Sequence, residues 1–238
     1  MAGWVTHSRI ADRLLGVLPS HIRFDRQGFV IGSIAPDCNI ENADWSDFTP
    51  PRAVTHFMTG ESKTTADHEG FYRRYIANAA NASREESAFL WGYYAHLVTD
   101  AMFQTFQRDE KRVAACFARL KRNPDAWARF AGLPETYDSV KAVFGRAGLE
   151  RDIAYLESRY LDGNPDNAYD TVLRRTTDFP DYLDFLPPGA ITRKIPLMAK
   201  DAHGAAPTAL LLFSEEEYEA FVSAVCERLM RLILKKIG

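Results

Sequence analysis

The sequence predicts an all-α protein, a single domain spanning residues 1–238. Three observations carry that expectation. Apolar residues recur at spacings of three and four along most of the chain, the period of one helix face. No block alternates apolar and polar residues over the length of a strand. Two capping boxes, Ser83 with Glu86 and Ser214 with Glu217, stand just ahead of long apolar segments. A chain of 238 residues is also long enough to enclose a full core.

The elements follow in order. His7, Ile10, Ala11, Leu14 and Leu18 mark one face of a first helix, with Thr6 as its cap and Pro19 as its stop. From Ile22 to Pro51, Gly, Pro, Asn and Asp interrupt every period, so a long ordered loop is expected there; such loops are usually functional. A helix is expected over Asp67–Asn78. The next, "SAFLWGYYAHLVTDAMFQTF", is apolar almost all round and should be a central helix buried on every side. Helices are expected near Glu110–Arg122, Ala126–Ala131, Thr136–Ala147 and Leu149–Tyr160, followed by a turn at "LDGNPDN". "FLPPGAITRKIPLMAKDAHGAAP" reads as a second long irregular stretch. The last helix opens at Ser214, carries Tyr218, Phe221, Val225, Leu229, Leu232 and Ile233 as a stripe, and ends on Lys235 and Lys236, which suit its negative end.

Composition narrows the function. Hydrophobic residues make up 46% and charged residues 26%, as in ordinary globular proteins. The net charge is −3 and no run of Lys or Arg stands out, which argues against a broad basic face for a nucleic-acid backbone. Cys38, Cys116 and Cys226 are too widely spaced for a zinc ribbon and are expected to be reduced thiols. The first residues, "MAGWVTHSRIADRLLGVLP", lack the pattern of a secretion signal, and no window reaches the length of a membrane span. A cytoplasmic protein is the expectation.

Polar residues in apolar surroundings are the informative ones. His96 and Asp100 lie four residues apart, on one face of the helix that ought to be most buried. His7 falls on the inward face of the first helix. His56 sits between Val54 and Phe57, and Asp37 ends the stiff turn "GSIAPD". Each has an ordinary explanation: a core histidine, a helix-end residue, an N-cap, a His–Asp pair filling core space. Together, three histidines and two aspartates are the ligand types of a zinc or other first-row metal site.

The stretches "THSRIA", "GSIAPD", "THF" and "GYYAHLVTD" resemble, in order and context, the zinc-dependent phospholipase C family, whose superfamily includes the single-strand-specific fungal nucleases. "PDCNIENADWSDFTPPRAVTHF" resembles small bacterial proteins of phospholipase C-like type. The resemblance covers residues 4–105. It implies an all-helical bundle of the phospholipase C/nuclease type with metals in a cleft, and a phosphodiester or phospholipid as substrate. It further implies one zinc held by Asp37, His56, His96 and Asp100, and a second held by His7 with Asp100 bridging. Asp37 would activate the attacking water. The chain departs from the family in two places. Trp4 follows Met-Ala-Gly where the secreted enzymes expose an N-terminal tryptophan as a metal ligand. After Asp100 there is one histidine, His203, and no HxxxE pair for a further zinc. Asp44, Asp47 and His68 are the nearby candidates for replacing those ligands.

The expected activity is therefore metal-dependent phosphodiester hydrolysis, with loops 32–53 and 187–213 as cleft walls and Trp45, Phe48, Phe57 and Tyr94 shaping it. A non-catalytic alternative is a lipid- or protein-binding module in which the metal only staples helices together. An HD-type phosphohydrolase is disfavoured, because that fold relies on an adjacent His-Asp pair and this chain has only Asp67-His68 in reverse.

Overall fold

The computed structural model of the chain describes residues 2–205 and 209–237. Among these residues the architecture is helical, with one two-stranded antiparallel ribbon, Ile40–Glu41 (β1) and Phe48–Thr49 (β2). The expected all-α class holds.

Helix α1 runs Trp4–Val17, two residues ahead of the expected Thr6 cap. Gly3 is the N-cap and offers no side chain, so another element caps the helix. Glu157 accepts the Thr6 backbone N–H at 2.9 Å and also the Thr6 hydroxyl. Burial alone would raise the Glu157 carboxyl, and it does remain above its ordinary value despite those bonds.

The stretch 22–51 is more regular than its sequence suggests. It contains helix α2, Arg26–Gly32, with Asp25 accepting the Gly28 N–H at 2.8 Å. Arg26 and Gln27 are exposed but Gly28 to Gly32 are all buried, so the helix beyond its first two residues shows no helical period to detect. A short helix α3, Arg52–Thr55, follows the ribbon. The expected helix over 67–78 is α4, His68–Phe71, capped by Asp67, and it widens into a π-helical turn over Tyr72–Ile76.

Helix α5, Arg84–Arg108, is the central element. Ser83 caps it by accepting the Glu86 N–H at 3.0 Å, and every residue from Ala88 to Asp100 is buried. Its closest neighbour is α2. A Cβ placed on Gly32 would lie 2.1 Å from the Phe89 carbonyl oxygen, and one on Gly92 would lie 2.1 Å from that of Phe29. Only glycine lets the two backbones approach this closely. The turn that follows α2 is thereby fixed against the middle of α5. Fully buried Phe89, Tyr93 and Phe71 pack around this contact. Each such side chain contributes about 1.5–3 kcal/mol of hydrophobic stabilisation.

The second half of the chain wraps this core. Helices α6 (Glu110–Lys121) and α7 (Pro124–Ala128) fall near their expected places. Two expected helices merge into α8, Tyr137–Gly163; the break between them lies at Gly145, with φ 64°, rather than at Gly148. Helix α9 covers Ala168–Thr171. The stretch expected to be irregular over 185–207 contains helix α10, Ala190–Met198. Its prolines disguise it, although Ile191, Lys194, Ile195 and Met198 are buried at helical spacing. Residues 206–208 of that stretch lie outside the described residues. Helix α11, Glu215–Ile237, begins with a reciprocal box. Ser214 N–H donates to Glu217 at 2.8 Å, and Glu217 N–H donates to Ser214 Oγ at 3.2 Å. None of the described helices is long and apolar enough to cross a membrane.

Candidate metal centre

The structure brings His7, Asp37, His56, His96 and Asp100 together from four segments. His7 comes from α1. Asp37 comes from the 3-10 turn Ala35–Asp37 that α2 feeds, His56 from the C-terminal end of α3, and His96 and Asp100 from successive turns of α5. All five are buried. His96 Nε2 lies 3.3 Å from Asp100 Oδ2 and 3.3 Å from His56 Nε2. His56 Nε2 lies 3.4 Å from Asp37 Oδ1 and 3.5 Å from Asp100 Oδ2. His7 Nε2 lies 3.5 Å from Asp100 Oδ1, and its ring stacks on His96 with centroids 3.9 Å apart and planes 5° from parallel. Asp100 thus faces two ways, Oδ1 toward His7 and Oδ2 toward both His96 and His56, with Asp37 beyond His56.

The surroundings orient these rings. His96 Nδ1 is 2.8 Å from the Ser33 carbonyl oxygen, at the close α2–α5 approach. A carbonyl can only accept, so Nδ1 carries the hydrogen and Nε2 turns its lone pair to the cluster. The Arg52 carbonyl oxygen, 3.2 Å from His56 Nδ1, does the same for that ring. The Trp4 indole N–H donates to Asp37 Oδ2 at 3.0 Å, which leaves Oδ1 facing His56. Trp4 therefore touches the site through its side chain.

One participant has no forewarning in the sequence. The Lys63 ammonium bonds to Asp100, lies 2.7 Å from His56 Nε2 and lies 4.0 Å from Asp37 Oδ1. A buried lysine is rare, and its segment, "GESKTTADH", reads as an ordinary polar loop.

The ionisation states follow from these contacts. Burial opposes charge on Asp37, but Lys63 and the His56 contact outweigh it, and the carboxyl is held well below its ordinary value. Asp100 is lowered in the same way, by Lys63 and the histidines against the cost of burial. Burial, with His7 alongside, pushes the His96 imidazole down to about 4. Ionised carboxylates and a neutral imidazole are the forms that bind a divalent metal.

Three polar atoms make no hydrogen bond among the described residues: His7 Nδ1, and the facing His7 Nε2 and Asp100 Oδ1. Buried polar groups without hydrogen bonds are expensive and call for an explanation. A metal ion would supply one. Two sets of ligand atoms, His7–His96–Asp100 and Asp37–His56–His96, each lie within 4.8 Å of one another. The donor set fits a zinc-type ion.

Other candidates do not join the cluster. Asp44 and Asp47 lie in the exposed connection between β1 and β2, where Asp44 accepts from Ser46. His68 sits beside Glu69 and Tyr94. His203 bridges Asp162 and Asp170 at 2.6 and 3.0 Å. The expected aromatic cleft wall is also corrected: Phe57 packs on Phe71, Tyr75 and Phe185, and Tyr94 donates to Glu69. The cavity of about 350 Å³ next to Asp37 is lined by aliphatic side chains such as Val5, Ile153, Leu197 and Met198, besides Trp4.

A helical domain with a buried His/Asp cluster of this composition is, as a class, a candidate metalloprotein. Residues 6–103 match the model of the family described as zinc dependent phospholipase C. That span holds all five cluster residues and Lys63. No curated protein and no solved structure matches the chain.

Proposed function

We propose that this protein is a metal-dependent phosphodiester hydrolase of phospholipase C type. His7, Asp37, His56, His96 and Asp100 would be its metal ligands, and Asp37 would also act on the attacking water. The observation that carries this is the convergence of three imidazoles and two carboxylates with His7 and one Asp100 oxygen left without hydrogen bonds. The family match over 6–103 supports the same chemistry. One or two zinc ions, or another first-row divalent metal, would be held there.

When bound, the metal would polarise the phosphodiester and make a water molecule more acidic. The chain's own residues do the rest. Asp37 is the cluster residue that lines the neighbouring cavity, so it is placed to take a proton from a water there. The Trp4 indole fixes its orientation. Its low pKa keeps it ionised but makes it a weak base, so it depends on that water being acidified. The water oxygen would bond to phosphorus, the bond from phosphorus to the leaving alcohol oxygen would break, and a proton would end on the alcohol.

Purified protein assayed on bis-p-nitrophenyl phosphate and on phospholipids, with zinc, manganese or nickel added, tests this. Asp37→Asn should lower turnover on the order of 10²-fold or more while losing far less metal, since the amide oxygen can still meet a cation. Near-normal turnover in Asp37→Asn would remove Asp37 from the base role. A metal-bound protein inert on the whole panel would favour the metal-stapled binding module.

A further inference from the structure

Beside the cavity at Asp37 lies a second one, of about 250 Å³, with a different character. The two share Arg146, Glu150 and Ile153 as a common wall. The cavity at Asp37 has a mostly apolar lining from α1, α8 and α10, in which Trp4 and Tyr169 are aromatic and Glu157, Lys200 and Asp201 are charged. The second is lined by Arg52, Arg108, Lys141 and Arg146, with Glu150 as its one carboxylate. Glu150 is taken by Arg146, at 2.8 Å. Arg52, Arg108 and Lys141 have no carboxylate partner among the described residues. Arg108 donates to the Gln104 side chain and carbonyl and lies over the Tyr137 ring. Arg52 lies over Phe48 and opens the helix that ends in His56. A net positive cavity therefore adjoins a largely apolar one whose lining includes Asp37 of the metal centre.

We propose that these cavities are two arms of one substrate cleft. The preferred substrate would be a phospholipid whose headgroup carries a second phosphate. The apolar arm would take the glycerol and the first methylenes of the acyl chains. Arg52, Arg108 and Lys141 would take the headgroup phosphate, and the scissile phosphodiester would lie between them. This rests on the phosphodiesterase function proposed above. A choline headgroup, itself cationic, would be repelled by the same three side chains. A nucleic-acid strand, for which Trp4 and Tyr169 would be the stacking surfaces of the apolar arm, is the competing occupant and an outcome of the test. Hydrolysis would release diacylglycerol and a headgroup carrying both phosphates, water supplying the oxygen and the two hydrogens.

The test separates binding from turnover. Non-cleavable phosphonate analogues of dihexanoyl phosphatidylinositol 4-phosphate and dihexanoyl phosphatidylcholine are titrated calorimetrically into the purified protein, as is the deacylated inositol headgroup. The analogue with the second phosphate should bind about tenfold more tightly than the choline analogue, as a cluster of exposed ion pairs allows. Both should bind more tightly than the deacylated headgroup. The Arg108→Gln/Lys141→Gln variant should narrow the gap between the lipids to about twofold. Both positions are exposed, so circular dichroism should report an unchanged fold. Equal affinity for the two lipids, or a gap that survives in the variant, would overturn the proposal. So would a deacylated headgroup or a tetranucleotide that binds as tightly as the lipid. Failure of the catalytic function reads out separately, as absence of diacylglycerol release from the cleavable lipids together with inertness on bis-p-nitrophenyl phosphate.

Discussion

Replacing Lys63 with methionine tests the electrostatics of the centre. The Lys63 ammonium lies among the same oxygens and nitrogens that would hold a metal: bonded to Asp100, 2.7 Å from His56 Nε2 and 4.0 Å from Asp37 Oδ1. Methionine keeps much of the side chain's length and loses its charge. In chelator-treated protein, Asp37 and Asp100 would lose that cation while remaining buried. Removing one partner of a buried ion pair costs about 3–5 kcal/mol. With zinc bound, the ion itself supplies positive charge, so the same substitution should cost only about 1 kcal/mol. The difference of about 2–4 kcal/mol must appear in the binding equilibrium, because the four states form a thermodynamic cycle. Lys63→Met should therefore bind zinc more tightly, by about thirtyfold to several hundredfold. Urea unfolding with chelator and with excess zinc gives two sides of the cycle, and competition against a fluorescent chelator gives the others. A variant that binds zinc more weakly, or whose chelated form is as stable as the parent, would refute competition between Lys63 and the metal.

Two further outcomes follow from other contacts. His7 has no hydrogen-bond partner and reaches Asp100 from a separate helix, so His7→Ala should release a second, looser metal while keeping the tight one; an unchanged metal stoichiometry alongside unchanged activity would return His7 to the role of a core histidine. His203 is raised above its ordinary 6.5, first by its hydrogen bond to Asp162 and then by Asp170. A raised pKa means that this contribution to stability is complete below about 6.5 and is lost as pH rises through the folded value. His203→Ala should flatten the fall of unfolding free energy over that window, and an unaltered slope would show that the bridge does not contribute.

The cluster is legible in the sequence because its members break a local rule. His7, His56 and His96 each occupy a position that apolar neighbours mark as internal, and the four-residue spacing of His96 and Asp100 fixes their common face. Gly92, within the same motif, shows its purpose only in three dimensions, where it admits the Phe29 carbonyl. Lys63 is not legible, because a lysine in a polar loop carries no sign of where its long side chain ends. Helix α2 is hidden for the opposite reason: buried from Gly28 to Gly32, it has no period. Helix α10 is disguised by Pro196 within it, although its buried Ile191, Lys194, Ile195 and Met198 keep helical spacing. The capping boxes located α5 and α11 correctly, since a cap is a local device that needs no tertiary context. The two cavities are lined by α8 together with residues of α1, α3, α5 and α10, and no local pattern encodes such a convergence.

The central claim, that the buried His/Asp cluster is a metal centre, is tested most directly by elemental analysis of the protein purified without added metal, alongside His96→Ala. The expected result is at least one first-row divalent ion per chain, zinc foremost. His96→Ala should lose that metal and with it a measurable part of the unfolding free energy, because metal binding and folding are coupled. Protein that holds no stoichiometric metal even after dialysis against zinc, or a His96→Ala variant that keeps its full complement, would contradict the claim.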